Sequence, residues 1–94
     1  MLDKLTPADF QPHVGTTFRA TNVEPAPVEL VLSEVVVHPA QPNSPRAEPF
    51  SLLFAGSAET MLPQHIYVLE HEAMGTLTIF LVPLSPTSYE AAFN

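Results

Sequence analysis

The chain has 94 residues, the usual size of one domain, and this length leaves no room for a second core. Ten acidic residues against three basic ones give a formal net charge of -7, which repels phosphate backbones and anionic lipids, so we expect neither nucleic acid nor membrane as a partner. The sequence has no cysteine, which excludes disulfides, thiolate nucleophiles and cysteine-ligated metals, so the fold must depend on packing.

The start of the chain, MLDKLTPADF, lacks the apolar region of a secretory signal, and no run of 18 or more apolar residues occurs. We therefore expect a cytoplasmic protein, or one incorporated in a particle assembled in the cytoplasm. The eleven prolines are spread between apolar segments, a distribution that indicates an ordered fold rather than a disordered tail.

The first predicted element is a short helix from Pro7 to Val14. Thr6 can cap it, Pro7 suits its first position, and Asp9 is in capping-box register. Gly15 can end the helix. Because Pro12 lies within this stretch, the second turn should be irregular.

Two β-rich segments follow, Thr16 to Asn22 and Val28 to His38. In the second segment Val28, Leu30 and Leu32 alternate with other side chains, which predicts one apolar face. From Val35 to Val37 both faces are apolar, so we expect this part to be covered on both sides.

The segment PAQPNSPRAEP, Pro39 to Pro49, has prolines spaced by three, which matches the polyproline II period. Arg46 follows Pro45 directly, but a docking motif of that kind would also need basic residues flanking the segment, and these are absent. A loop stiffened by proline between two strands is the better interpretation.

Four further strands are predicted in the second half of the chain. Phe50, Leu52 and Phe54 share a face of the third strand, and Tyr89, Ala91 and Phe93 share a face of the sixth, so we expect Phe93 in the core. The strands are FSLLFAG, QHIYVLEH, TLTIFLVPL and SYEAAFN. The whole pattern predicts a single domain, residues 1–94, that is mainly β: a small antiparallel barrel or sandwich of about six strands with one short N-terminal helix.

The pair His71 and Glu72 suggests metal chemistry, but the zincin motif needs a second histidine four residues after the first, where this chain has Gly75. Gly75 is suited to a tight hairpin, so we predict that the pair belongs to a turn. The spacing of Glu70 and Glu72, two residues apart, is common in acidic strands and carries little weight as a paired-carboxylate site.

The remaining candidates do not form a recognisable site either. His65 and His71 would share a strand face but lie about 20 Å apart, and His13 and His38 could meet only through tertiary folding. No serine stands in a G-x-S-x-G elbow. We therefore expect no metal, no cofactor and no enzymatic activity.

Several stretches together carry a family resemblance: LTPADFQPHVGTTF, FSLLFAG, LPQHIYVLEHEAMGTLTIFLVPL and the ending YEAAFN. The most specific features are the spacing of Gln64, Tyr67 and His71, then Gly75 and the run Phe80 to Pro83. The chain resembles domain-of-unknown-function family 6916, an uncharacterised family of small bacterial proteins. The resemblance implies a standalone β-rich domain without assigned activity, and loosely a component of a phage-tail-like bacterial assembly; Ala55 stands where a basic residue would be expected.

Two functions remain open at this point. The first is a structural or protein-interaction module that self-associates, because few residues are charged and both Val35 to Val37 and Phe80 to Val82 carry apolar side chains on both strand faces, which one small core cannot easily hide. The alternative is a small-molecule-binding barrel whose pocket is lined by His65, Tyr67 and His71.

Overall fold

The computed structural model describes residues 5–24, 26–39 and 49–93. A short α-helix, α1, is followed by a 3-10 helix, Gln11–His13, and then by six β-strands. Their bounds are α1 Pro7–Phe10, β1 Thr17–Ala20, β2 Val28–Val37, β3 Phe50–Ala55, β4 His65–His71, β5 Gly75–Ser85 and β6 Ser88–Phe93.

The strands form a closed antiparallel barrel in the order β1-β2-β3-β6-β5-β4. The predicted mainly β class with a short N-terminal helix is therefore confirmed, and the structure decides in favour of a barrel. Closure is made by β1 and β4, where Arg19 pairs with Glu70 and Ala20 with Leu69. Closing the sheet pairs much of each strand with a neighbour on both sides, which leaves less edge to template pairing with another chain.

The predicted N-terminal helix is shorter than expected. The α-helix ends at Phe10 and a 3-10 turn continues to His13, because Pro12 cannot donate a helical hydrogen bond. The irregular second turn is thus confirmed, whereas a helix extending to Val14 is wrong. At the helix start the backbone N–H of Thr6 donates to the Asp9 carboxylate at 2.8 Å, as the capping box predicts.

Residues 5–15, here called the N-terminal plug, close one end of the barrel. Phe10 is fully buried, and its ring centroid lies 5.9 Å from that of Phe50 and 5.8 Å from that of Phe93. The Gly15 N–H donates to the Leu32 carbonyl at 2.7 Å. The plug therefore completes the aromatic core at this end.

The barrel interior is filled by alternating side chains from the strands, as the sequence pattern predicts. Phe93 belongs to this core, as expected, and stacks on Phe50 with a centroid distance of 4.6 Å and an interplanar angle of 5°. The fully buried side chains of the strands include Phe18, Leu30, Leu32, Phe50, Leu52, Phe54, Leu69, Leu81 and Tyr89.

A bulge at Ser33 shifts the register between β2 and β3. Before the bulge Val28, Leu30 and Leu32 face the core, and after it Val35 packs partly against the core. The expectation that Val35 to Val37 would be covered on both sides is wrong at Val37, which is 52% exposed. Val37 is the last residue of β2 and lies beyond the part of this strand that pairs with β1.

The proline-rich loop predicted between β2 and β3 lies mostly outside the described residues. Its two flanks are joined by a hydrogen bond from the His38 N–H to the Pro49 carbonyl at 2.8 Å. This bond extends the β2–β3 pairing by one step beyond Val37.

Candidate functional site

The structure separates the five candidate residues into three places. Phe80 and Val82 lie on the outer face of β5, His65 and Tyr67 lie at the start of β4, and His71 ends β4 at the plugged end of the barrel. Along β4 the distance from Tyr67 to His71 is about 13 Å, at 3.3 Å per residue. The three residues proposed to line one pocket are therefore not brought together around one cavity.

The outer face of β4 and β5 carries a group of apolar side chains, here called the outer patch: Ile66, Val68, Phe80 and Val82. Ile66 and Phe80 are directly opposite each other in the sheet register. Ile66 is 53% exposed and Phe80 is 49% exposed, whereas the two valines are half-buried. Side chains directly opposite on one face of a sheet contact each other, so Ile66 and Phe80 form one continuous apolar surface.

His65 and Tyr67 form a small aromatic pair near the other end of the barrel. Their rings meet edge to face with centroids 5.5 Å apart, and the Tyr67 hydroxyl donates to the Pro63 carbonyl at 2.6 Å. Burial, and then the neighbouring Tyr89, raise the pKa of Tyr67. A buried phenol that keeps its proton in this way serves as a hydrogen-bond donor that fixes the loop before β4.

His71 is 9% exposed and every polar atom of its ring has a partner. The ring Nδ1 lies 3.0 Å from the N–H nitrogen of Ala73 and 3.1 Å from that of Met74. Since Nδ1 accepts these bonds, the proton of the neutral ring sits on Nε2, which lies 2.9 Å from the Thr16 hydroxyl. The predicted hairpin is confirmed, and the histidine itself holds the turn.

Thr16 connects His71 to the plug, because the Thr16 hydroxyl donates to the His13 carbonyl at 2.5 Å. The Thr16 and His71 pair resembles the hydroxyl and imidazole of a hydrolase, but the direction of the hydrogen bonds is opposite. A general base must accept the hydroxyl proton, whereas His71 Nε2 donates to Thr16. The geometry therefore supports a structural role for this pair.

An open cleft of about 570 Å³ lies beside His71 and is acidic. Arg19 and Glu70 form an ion pair across it at 3.2 Å, with both side chains about half exposed, so the pair adds little stability. Glu72 also lines the cleft and lies in the turn after β4, as predicted for the His71–Glu72 pair. Among the residues that the structure describes, no three His, Asp or Glu side chains are placed to hold a metal ion.

Two histidine contacts could not be predicted from the sequence. The rings of His13 and His71 lie with their centroids 4.7 Å apart, and Nε2 of His38 lies 2.9 Å from the buried Ser51 hydroxyl. Both contacts depend on how the strands pair in the folded barrel, and the sequence spacing between the two residues of each pair does not predict that they meet.

A second groove, of about 450 Å³, lies at the opposite end from the plug and is mainly apolar. The Tyr89 hydroxyl accepts the Leu62 N–H there at 2.9 Å, which fixes the loop that forms one wall. The groove is lined by Met61, Leu62, Pro63, Pro83, Leu84, Ser85, Pro86 and Tyr89.

None of the helices in the described ranges has the length and apolar character needed to cross a lipid bilayer. In comparisons with known proteins, one family model matches residues 5–93, and its description reads "Domain of unknown function (DUF6916)". No curated protein and no solved structure matches the chain with significant similarity.

Proposed function

Since this chain belongs to the DUF6916 family, whose description assigns no function, we propose from the geometry that the protein is a non-enzymatic interaction module that self-associates through the outer patch. The observation that carries the proposal is the pairing of Ile66 with Phe80, two large apolar side chains about half exposed and directly opposite each other. Exposed apolar groups that are contiguous, rather than scattered, are typical of protein interaction surfaces.

The residues around the patch favour burial against a protein. Thr78 stands opposite Val68, and Glu90 opposite Val82, so the centre is apolar while charge lies at its border. This arrangement of an aromatic centre with a polar rim is common in specific interfaces. A second copy supplies the same surface, and a two-fold contact would place Phe80 of each copy against the patch of the other.

The filled interior favours this function over the small-molecule-binding alternative. Phe18, Phe54 and Leu69 are fully buried within the barrel, together with the other core side chains. A small barrel whose interior is packed with side chains has no room there for a ligand.

The net charge of the protein predicts how salt should affect its association with a second copy. Two copies that each carry a formal charge of -7 repel one another, so added salt should strengthen self-association by screening this repulsion. A complex with a basic partner would weaken under the same change. The sign of the salt effect therefore separates a second copy from a basic partner.

The experiment is light scattering coupled to size exclusion, at micromolar and tenfold lower protein concentration, in low and moderate salt. We expect a mass of twice 10.2 kDa or more that falls on dilution and rises with salt. A specific interface buries about 1,200 to 2,000 Å² in total, so it should extend beyond the four patch residues. A mass near 10.2 kDa under all conditions would reject the proposal.

Substitutions locate the surface. Ile66→Asp should abolish the larger species, because it places a charge in the middle of the patch. Val31→Asp is the matched control, since Val31 is an exposed apolar residue on β2, a strand that adjoins neither β4 nor β5. Equal loss of mass in both variants would show that the outer patch is not the contact surface.

A further inference from the structure

His71 links three parts of the molecule through one side chain. Its Nδ1 accepts the backbone N–H groups of Ala73 and Met74 in the β4–β5 turn, and its Nε2 donates to Thr16. The ring also lies between two others, with the centroid of Phe18 at 4.3 Å and that of His13 at 4.7 Å. The turn, β1 and the plug are therefore all held by the neutral imidazole.

A second proton on this ring has only one place to go. It must bind Nδ1, which then becomes a donor and can no longer accept the Ala73 and Met74 amides. Two N–H groups lose their acceptor at once, and an unsatisfied polar group in a part-buried site is costly. The positive ring would also face His13 at contact distance, and this interaction disfavours the charged form of His71.

The titratable and charged groups around His71 come from each neighbouring segment. His13 faces it from the 3-10 helix, Arg19 lies in the adjoining cleft on β1, and Glu72 lies in the turn. Glu70 of β4 and Glu29 of β2 line the same cleft, whereas the β5 residues there, Gly75 and Thr76, carry no charge. Burial, followed by His13, lowers the pKa of His71 below 6.5, and Glu72 opposes this only in part.

We propose that His71 is an acid-sensitive latch, which holds the N-terminal plug on the barrel while the imidazole is neutral and releases the plug when the ring is protonated. The second proton enters at Nδ1 and leaves the Nε2–H bond to Thr16 in place, so release begins at the turn. The ring must move away from the Ala73 and Met74 amides, and this movement breaks its contacts with Thr16 and with the ring of His13, and thereby its connection to the plug. Release uncovers the rings of Phe50 and Phe93, which Phe10 covers in the closed state. Acid thus converts a closed barrel end into an aromatic surface.

The direction of the pH effect follows from proton linkage. The pKa of His71 is depressed in the closed state, so the open state binds more protons at mildly acid pH. Closure is fully favoured above the ordinary histidine pKa of about 6.5 and weakens as the pH falls from there toward the depressed value.

Amide hydrogen exchange by NMR, corrected for intrinsic rates, is the direct test. The Gly15 and Thr16 amides bond to Leu32 and His13 carbonyls in the closed state and report on the plug. Between pH 7.5 and pH 5 their opening should increase on the order of tenfold, and up to roughly 30-fold for a strongly depressed pKa. Core amides of the paired strands, such as Leu52 and Ala91, should change much less.

Two variants make the test specific. His71→Asn keeps an oxygen near the position of Nδ1 that can accept the turn amides, so the plug opening should lose its pH dependence. His65→Gln removes an exposed histidine from the same strand and should leave the pH dependence intact.

Three results would overturn the latch. The first is plug exchange that does not depend on pH in the parent chain. The second is pH dependence that survives in His71→Asn. The third is equal acceleration of plug and core amides, which would mean that acid unfolds the whole barrel.

Discussion

Among single residues, two phenylalanines lie in opposite surroundings, one in the core and one on the surface, so one should matter for stability and the other for self-association. Phe93 is 7% exposed and stacks on Phe50, whereas Phe80 is 49% exposed on the outer patch. Both are aromatic residues of strands joined in the same sheet. Their difference in burial therefore predicts a difference in the effect of truncation.

Phe93→Ala should lower the free energy of unfolding by about 3 to 5 kcal/mol, because it removes a buried ring and leaves a cavity among aromatic side chains. Phe80→Ala should change it by less than about 1 kcal/mol while weakening self-association. Urea unfolding of both variants at one low protein concentration gives the comparison. Equal unfolding midpoints for Phe93→Ala and the parent would show that the end of β6 is not part of the core.

At the level of elements, the weakest part of the barrel wall is the seam between β1 and β4. β1 has four residues and aligns with only two of β4. Beyond this pairing the side chain of Asn22 makes the hydrogen bonds to the β4 backbone that a neighbouring strand would make. Its Oδ1 accepts the Val68 N–H at 2.9 Å, and its Nδ2 donates to the Ile66 carbonyl at 3.2 Å. One side chain thus satisfies the edge of β4 beside the outer patch.

Asn22→Ala should reduce the free energy of unfolding by about 1 to 2 kcal/mol, since two hydrogen bonds to backbone groups are lost at an exposed site. Ser33→Ala is the control, because the Ser33 hydroxyl makes a single bond to the Leu53 carbonyl, at 2.9 Å, away from the seam. Its cost should be about half as large. If Asn22→Ala unfolds at the same urea concentration as the parent, the side chain does not contribute to closure.

Local chemistry explains which elements could be predicted from the sequence. Gly75 has a φ of +79°, a backbone conformation that favours glycine, and it ends the β4–β5 turn as predicted. Pro12 has no N–H to donate to a helical carbonyl, so the α-helix ends before it, at Phe10. The bulge at Ser33 could not be predicted, because β2 has apolar residues on both sides of it and no glycine marks the site.

For the whole molecule, the sequence pattern identifies which side of each strand is apolar but not how the sheet closes. Arg19 and Glu70, which meet across the seam, are distant in sequence, and the same is true of His13 and His71. Such pairings depend on register and strand order, which short-range periodicity does not determine. The outer patch was partly predictable, since Phe80 and Val82 follow from alternation within β5, whereas Ile66 is added by the β4–β5 register.

We propose that this protein meets a second copy of itself at the outer face of β4 and β5. The most direct measurement is a dilution series of ¹H–¹⁵N NMR spectra at constant salt and pH. We expect the amides of Ile66, Val68, Phe80 and Val82 to shift with concentration, while those of Glu29 and Val31 on β2 remain unchanged. Spectra that do not change on dilution, or shifts confined to β2, would show that the outer patch is not a contact surface between copies.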